Sequence, residues 1–429
     1  MKVYIETLGC AKNLTESETL AGRLLASGAE LVSEPSAADV LVVHTCSFIG
    51  DALDESAAAI HRAARRKSKG SRLIVSGCLA QMSALKTAPD KVASAVAAAD
   101  VVVGTGRLGD AADVILGRKT GISGMLGAPG GFHDAESRAH PAGSPWAYLR
   151  VAEGCGHRCN YCLIPSLRGT YKSRPADDIV REAGRLASMG VKELNLISQD
   201  TSGYGLDMPP SRRTSIAGLL GRLEKIRGIE WIRLLYCHPS TISGDMLSVM
   251  SASRKIVRYL DVPLQHVSCG VLRAMGRPTG GESPRESVKK LKSRVPGIAL
   301  RTTFIVGHPG ESDKDFRELI DFINEGHFMW TGIFAYSAMS GTVSARSQLP
   351  VPSASVVKRR LAAALAAARR TNRRALDSFS GKKIKALVTT PSTARPYFCA
   401  PEVDGEIKLR PRSGAAAGNF VSVFCDEVY

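Results

Sequence analysis

The chain has 429 residues, with 57 Lys and Arg against 40 Asp and Glu, which gives a formal net charge of +17. At about 100–200 residues per domain, this length predicts two to four domains. The content of 44% hydrophobic and 23% charged residues argues against a disordered, collagen-like or coiled-coil chain. No apolar run approaches the roughly 20 residues that cross a bilayer, and the first ten residues do not resemble a signal peptide. We therefore expect a cytoplasmic protein without a membrane partner.

The first part of the chain, residues 1–116, alternates short apolar runs with amphipathic stretches. Strands are predicted at 3–8, 40–44, 73–76 and 101–103, and helices at 13–27, 51–66 and 79–98. This alternation predicts an α/β domain with a parallel sheet. Residues 117–145 are rich in Gly and Pro and predict a linker.

A second α/β series occupies residues 146–380. Its strands are predicted at 147–151, 193–198, 231–236, 259–264, 300–307 and 331–337, each followed by a helical or polar stretch. Six β/α repeats predict an incomplete barrel whose chemistry lies at the carboxyl ends of the strands. Residues 381–429 alternate apolar residues with turn signals at 384–388, 405–409 and 420–424, which predicts a small β-barrel or sandwich.

Cys155, Cys159 and Cys162, the first cysteine set, form a CxxxCxxC loop directly after a predicted strand. Thiolates suit iron and zinc, and three on one loop can bind three irons of a cubane cluster while leaving the fourth iron open. The alternatives are a zinc knuckle completed by His157 and buried free thiols. A zinc knuckle normally draws a ligand from a second short loop, and Arg158 beside the thiols disfavours burial. A cluster with an open iron is therefore favoured.

Cys10, Cys46 and Cys78, the second cysteine set, each follow a predicted strand of the N-terminal sheet. Because ligands collect outside the carboxyl ends of parallel strands, these cysteines should converge and hold a second cluster. Gly9 and Gly77 would let the backbone approach a bulky inorganic group. The alternative is that each cysteine is a small buried residue. The remaining cysteines, Cys237, Cys269, Cys399 and Cys425, lack ligand spacing and are predicted to be buried thiols.

The CxxxCxxC loop and the six β/α units resemble the radical S-adenosylmethionine (SAM) superfamily. Its cluster binds SAM at the open iron and cleaves it to a 5′-deoxyadenosyl radical. A cysteine-bearing domain ahead of such a core resembles the methylthiotransferase family. The resemblance to its RimO branch is sharpest at residues 6–18 (ETLGCAKNLTESE), 162–169 (CLIPSLRG), 197–205 (ISQDTSGYG) and 261–266 (DVPLQH). Residues 400–405 (APEVDG) resemble that branch's C-terminal TRAM domain.

RimO enzymes methylthiolate the β-carbon of an aspartate in the twelfth small-subunit ribosomal protein. The resemblance implies two 4Fe-4S clusters, one at each cysteine set, and SAM as both methyl donor and radical source. It also implies a ribosomal protein partner, on or near the ribosome, and a reductant protein such as a flavodoxin or ferredoxin. His44, Met82 and His308 depart from the residues that the family usually carries at those positions.

Several residues match the superfamily's SAM-holding positions at the strand ends. Arg174 is expected to pair with the methionine carboxylate, because a guanidinium can donate to both oxygens. The other expected SAM contacts are Gln199, Asp200, Gln265, His266, Gly307, Pro309 and Gly310. For each of these residues a strand-end cap or turn is the alternative.

The helical stretch at 354–376 carries seven basic residues and no acidic one: Lys358, Arg359, Arg360, Arg369, Arg370, Arg373 and Arg374. We expect its apolar residues Val356, Val357, Leu361, Leu365 and Leu376 to pack on the barrel with the basic residues outward. The alternative is that this helix contacts ribosomal RNA. Two other functions also remain open: methylthiolation of an adenosine in tRNA, as in the MiaB branch, and electron transfer by a two-cluster carrier.

Overall fold

The computed structural model describes residues 1–84, 88–119, 138–277, 281–409 and 415–424. Part of the predicted linker and Cys425 lie outside these residues. The chain divides into two compact units. The first comprises Met1–His140, Glu153–Arg174 and Ser337–Arg346, and the second comprises Pro141–Ala152, Pro175–Tyr336 and Ser347–Tyr429. Among the described residues, no helix has the length and apolar character needed to span a membrane.

The first unit contains a five-stranded parallel sheet. Its strands are β1 (Lys2–Thr7), β2 (Glu30–Leu31), β3 (Val40–Thr45), β4 (Arg72–Gly77) and β5 (Val101–Val103), in the order β2-β1-β3-β4-β5. Its helices are α1 (Ala11–Ala26), α2 (Gly50–Arg66), α3 (Cys78–Ala84), α4 (Asp90–Ala97) and α5 (Leu108–Ile115). The predicted parallel α/β domain is confirmed, but the helix predicted at 79–98 is two helices. Pro89, which has no backbone N–H, lies directly before the second of them.

The central strand β3 is buried along its whole length, as expected for a parallel strand covered on both faces by helices. Its side chains alternate between two cores. Leu41 and Val43 belong to a core shared with α2 and α4, whereas Val40 and Val42 belong to a core shared with α1 and α5. This alternation fixes the register of the strand, because a shift by one residue would exchange the two faces.

The second unit contains an open six-stranded parallel sheet, which confirms the predicted partial barrel of six β/α repeats. Its strands are β6 (Trp146–Arg150), β9 (Glu193–Ile197), β10 (Trp231–Leu234), β11 (Ile256–Asp261), β12 (Ala299–Val306) and β13 (Trp330–Ala335), hydrogen-bonded in that order. The chain between β6 and β9 carries β7 (Ala152–Glu153), α6 (Ile164–Arg168), β8 (Lys172–Ser173) and α7 (Ala176–Ser188). The later helices are α8 (Ile216–Leu223), α9 (Gly244–Ala252), α10 (Cys269–Ala274), α11 (Pro284–Arg294) and α12 (Asp313–Asn324).

Helix α13 (Ala354–Asp377) follows, and its predicted residues Leu361 and Leu365 pack against the barrel core. The fully buried residues of this helix are others that were not predicted to pack: Arg360, Ala364, Ala367, Ala368 and Thr371. Small side chains let the helix approach β13 and α12 closely. Arg360 is buried in ion pairs with Glu311 (2.8 Å) and Asp313 (2.7 Å), so it does not belong to the outward basic surface.

The C-terminal residues form a four-stranded antiparallel sheet in the order β16-β15-β14-β17. The strands are β14 (Lys383–Thr390), β15 (Thr393–Pro396), β16 (Ile407–Lys408) and β17 (Phe420–Phe424). Three of these strands were predicted from the sequence, whereas β15 was not. The predicted β structure of the C-terminal residues is confirmed.

Segment 397–404 of this C-terminal region packs against the barrel strands through polar contacts. The Tyr148 hydroxyl donates to Glu402 (2.9 Å), and the Tyr259 hydroxyl donates to Asp404 (2.7 Å). Glu193 on β9 pairs with Arg233 (2.9 Å) within the same barrel.

Glu193 also pairs with Arg395 of β15 at 2.6 Å, and all three ionised side chains are fully buried. Burial alone would raise the pKa of Glu193, but the charges of Arg395 and Arg233 lower it overall. The carboxylate is therefore held ionised between two cations, and it links the C-terminal sheet to the barrel.

Candidate functional site

The second cysteine set lies at one edge of the N-terminal sheet. Cys10 precedes α1, Cys46 follows β3, and Cys78 is the first residue of α3. Because β1, β3 and β4 are parallel neighbours, their carboxyl ends meet at this edge. The three thiols are close enough for their charges to interact. The structure therefore brings these three predicted ligands together.

Two glycines shape this edge. Gly9 has φ +91°, and a Cβ there would lie 2.5 Å from the Cβ and 2.8 Å from the Sγ of Cys46. Gly77 has φ +96°, and a Cβ there would lie 2.5 Å from the carbonyl oxygen of Thr45. A cysteine side chain and the neighbouring backbone therefore each require glycine at these positions.

The surroundings of these thiols change their acidity. Burial raises the pKa of the Cys78 thiol to about 12, although the charge of Arg168 opposes this effect. Burial, followed by the charge of Cys10, raises the pKa of Cys46. Burial would also raise the pKa of Cys10, but the charges of Lys12 and Arg168 lower it overall. Three thiolates are thus stable together here only with nearby positive charge, which a metal cluster and Arg168 would supply.

The first cysteine set lies on a tightly folded loop between β7 and α6. Gly154 has φ +72°, and a Cβ there would lie 2.2 Å from the carbonyl oxygen of Thr170. The amide of Cys155 donates to the carbonyl of Gly169 (3.1 Å), which closes the loop on itself. All three thiols of this set are partly exposed, whereas Cys46 and Cys78 are buried. The first cysteine set is therefore the more accessible of the two.

Arg168, at the end of α6, is a site residue that the sequence analysis did not single out. It is buried, and its Nε donates to the Sγ of Cys78 at 3.3 Å. Its Nη2 donates to Asn13 (2.7 Å) and Glu16 (3.2 Å), and its Nη1 donates to Glu16 (2.9 Å) and Glu153 (3.1 Å). A signal was present, because Asn13, Glu16 and Arg168 all lie in the stretches 6–18 and 162–169.

The partners of Arg168 are themselves fixed by neighbours from the sheet. Asn13, which accepts from Arg168 through its Oδ1, uses its Nδ2 to donate to the carbonyls of Leu8 (2.7 Å) and Thr45 (3.0 Å). Glu16 lies 3.0 Å from Nε2 of His44, whose Nδ1 lies 2.7 Å from the hydroxyl of Ser76. The two loops that precede Cys10 and Cys46 are thus tied to the Arg168 network.

The chemistry of these residues fits iron–sulfur clusters. Each set supplies three sulfur donors, and the N–H of Ile164 as well as the guanidinium of Arg168 already donate to cysteine sulfurs. Within the described part of the chain, no three His, Cys, Asp or Glu side chains meet at the distance of a single metal ion.

Two predicted SAM residues of the second unit carry polar atoms that make no hydrogen bond within the described part of the chain. Gln265 has φ +69°, an uncommon conformation for a residue other than glycine, and its Oε1 is buried without a hydrogen-bond partner. Nε2 of His266 is likewise buried without a partner, while its Nδ1 accepts from the amide of Ser268 (3.0 Å). Burial lowers the pKa of His266 to about 4. A neutral imidazole and an amide oxygen are thus available to a polar ligand.

The other predicted SAM residues are placed differently. The carboxylate of Asp200 accepts from the amides of Gly203 and His238 and from hydroxyls nearby, so it caps the short 3-10 helix Thr201–Gly203 that follows β9. The amide of Gly307 donates to Glu311, and that of Gly310 donates to the carbonyl of Pro350. A ligand contact at these glycines would have to use other atoms. Of the other three predicted SAM residues, Pro309 and Arg174 are buried and Gln199 is half-buried.

Comparison with known proteins assigns the chain to a family. A model described as uncharacterized protein family UPF0004 matches residues 2–104, and the radical SAM superfamily model matches residues 149–323. The ribosomal protein uS12 methylthiotransferase RimO of Pelotomaculum thermopropionicum is 40% identical over 99% of this chain and 96% of its own length. The protein of the same name from Moorella thermoacetica is 38% identical over 100% of this chain and 97% of its own length. The chain belongs to the RimO family.

A solved structure supports the fold. The radical SAM methyltransferase TsrM from Kitasatospora setae, with cobalamin and a [4Fe-4S] cluster bound, superposes with a TM-score of 0.56 at 14% identity. That alignment covers 97% of this chain and 80% of TsrM. As a RimO family member, the chain is a radical SAM methylthiotransferase, and SAM and 4Fe-4S clusters are its cofactors. The electron-carrier and tRNA alternatives are not favoured.

The three residues that depart from the expected RimO pattern all lie in the interior of their units. His44 joins Glu16 to the sheet, and Met82 is fully buried in the core shared with α2. His308 is buried against the ring of Tyr336 at a centroid distance of 5.1 Å. Among the cysteines outside the two sets, Cys237 and Cys399 are buried as predicted, whereas Cys269 is exposed and that prediction was wrong.

Proposed function

We propose that this enzyme methylthiolates the β-carbon of an aspartate in ribosomal protein uS12. The observation that carries the proposal is the full-length similarity to proteins named uS12 methylthiotransferases, at 38% and 40% identity. An aspartate β-carbon has no leaving group and a strong C–H bond, which acid–base residues alone do not functionalise. A ribosomal substrate also places the reaction in the cytoplasm.

In this proposal, Cys155, Cys159 and Cys162 hold the cluster that binds SAM, and the second cysteine set holds the other cluster. When bound, the SAM cluster supplies the radical that removes hydrogen from carbon, and the second cluster serves the sulfur transfer. The partial exposure of the first cysteine set supports this division, because SAM must reach an open iron.

The proposed SAM contacts fall into two groups by the structure around them. Gln265 and His266 offer buried polar atoms without partners in the chain, and Arg174 is proposed to pair with the methionine carboxylate. Gln199, Asp200, Gly307, Pro309 and Gly310 are the other proposed SAM contacts. A His266→Gln variant should weaken SAM binding, measured by equilibrium dialysis, while its iron content stays unchanged.

The proposed partners are the ribosome and a reductant protein such as a flavodoxin or ferredoxin. Helix α13 supports an RNA contact, because its basic residues other than Arg360 are exposed. C-terminal residues 381–429 are proposed to be a TRAM domain, which the antiparallel sheet supports.

The substrate is tested by mass spectrometry of uS12 from cells with and without the gene. The wild-type gene should add one methylthio group in place of one hydrogen on an aspartate, and the Cys10→Ala and Cys155→Ala variants should not. Methylthio-adenosine in tRNA, measured in the same cells, is the control and should not change. An unmodified uS12 together with loss of methylthio-adenosine would contradict the proposed substrate.

A further inference from the structure

The Arg168 guanidinium is fully committed to the surroundings of the second cysteine set. A guanidinium has five N–H groups, and the five contacts of Arg168 are Cys78 Sγ, Asn13 Oδ1, both carboxylate oxygens of Glu16 and one oxygen of Glu153. The side chain of Arg168 is 1% exposed. Its orientation is therefore fixed, with Nε directed at the sulfur.

The ion pairs of Arg168 with Glu16 and Glu153 do not use its Nε, which donates to the Sγ of Cys78 instead. Glu16 takes two of the other N–H groups and Glu153 takes one, so the two carboxylates are satisfied without Nε. Glu16 is additionally held by His44, which lies 3.0 Å away. Glu16 is thus held in place by a residue of β3, and the Nε of Arg168 is the donor that remains for Cys78.

Arg168 reaches Cys78 from the end of α6, the helix that follows the loop of the first cysteine set. Leu163, which precedes α6, and Leu167, which lies in it, pack in the core shared with α2 and α4, and the hydroxyl of Thr105 donates to the carbonyl of Leu167. Within the first unit, this anchoring ties the chain after Cys162 to the sheet edge that carries Cys78.

We propose that Arg168 is a positioning residue for the second cluster, which orients Cys78 and raises the reduction potential of that cluster. The inference rests on the proposed cluster at Cys10, Cys46 and Cys78. A hydrogen bond to a ligand sulfur and a buried positive charge both stabilise the reduced, more negative state of an iron–sulfur cluster. Because Arg168 and Cys78 are both buried, this effect is screened little by solvent.

The test uses the full-length chain with Cys155, Cys159 and Cys162 replaced by alanine, so that the second cluster is the one measured. Reduction potential and electron paramagnetic resonance spectra are recorded with Arg168 intact and in Arg168→Gln and Arg168→Lys variants. We expect Arg168→Gln to disfavour reduction at least tenfold, which is 59 mV for one electron. Arg168→Lys should shift the potential less, because it keeps the charge but not the planar set of donors.

Two matched controls separate this role from a purely structural one. Arg138→Gln breaks an ion pair with Glu18, which lies on the same helix as Glu16, and this change should leave the potential unchanged. In a chain with Cys10, Cys46 and Cys78 replaced instead, Arg168→Gln should leave the potential of the first cluster unchanged.

The outcomes distinguish the inference from the function on which it rests. If the parent with Arg168 intact takes up no iron, the second cysteine set holds no cluster, and both ideas are overturned. If the parent holds a cluster, and both Arg168→Lys and Arg168→Gln have the same potential and spectrum as the parent, the inference alone is wrong. Should Arg168→Gln take up no iron, the Arg168→Lys variant decides, and an unchanged potential and spectrum would overturn the proposal.

Discussion

Replacing Gly9 with alanine should disrupt the second cysteine set while leaving the first one intact. Gly9 has φ +91°, which costs a residue with a side chain about 1–2 kcal/mol. The new methyl group would also lie 2.5 Å from the Cβ of Cys46. Carbon atoms normally approach only to about 3.5–4.0 Å, and such overpacking costs a further 1–3 kcal/mol, approximately. The total is about 2–5 kcal/mol, and relaxation would move the Cys46 thiol.

Gly28→Ala is the matched control for this experiment. Gly28 has φ +81°, but a Cβ there would meet no atom within 4 Å, so only the backbone strain of about 1–2 kcal/mol applies. In a chain with Cys155, Cys159 and Cys162 replaced by alanine, iron and visible absorption are measured after anaerobic reconstitution. The parent and Gly28→Ala should each bind about four irons, and Gly9→Ala should bind clearly fewer. Equal iron content and identical spectra in the two glycine variants would refute this reasoning.

Three further predictions concern the second unit. Glu193→Ala should lower the free energy of unfolding by about 3–5 kcal/mol, because it leaves two buried arginines without their carboxylate. Denaturant unfolding followed by tryptophan fluorescence measures this, and a loss below that of a surface Glu→Ala variant would contradict it. Burial lowers the pKa of His266 to about 4, so the unfolded chain binds more protons below pH 6.5. Stability should therefore fall by about 3 kcal/mol between pH 6.5 and pH 4, and His266→Gln should remove that part of the pH dependence. If α13 contacts RNA, an Arg369→Gln, Arg370→Gln double variant should bind ribosomes with a shallower salt dependence than wild type. Equal slopes in a sedimentation assay would exclude these two residues from that contact.

The order of the elements followed from local patterns. Apolar runs separated by amphipathic stretches predicted both parallel sheets, because a strand buried on both faces and a helix buried on one face differ in period. The helix predicted at 79–98 failed at Pro89, where a missing N–H outweighed the periodicity. The packing of Leu361 and Leu365 of α13 followed from their helical spacing, but the burial of the alanines on this helix did not, because alanine carries little hydropathy signal.

The sequence by itself determined the family and the two cysteine sets, because ligand spacing and strand-end position are local properties of the chain. Only the tertiary structure shows which charged residue donates to the sulfur of Cys78, because Arg168 is 90 residues away from it and is one of 57 Lys and Arg. It also decided why Gly9 is required, because the Cys46 side chain arrives from another strand. The pairing of Glu193 with Arg395, which are 202 residues apart, likewise depends on the tertiary structure alone. Contacts of this kind depend on how packed elements bring side chains together, and no period or spacing along the chain specifies them.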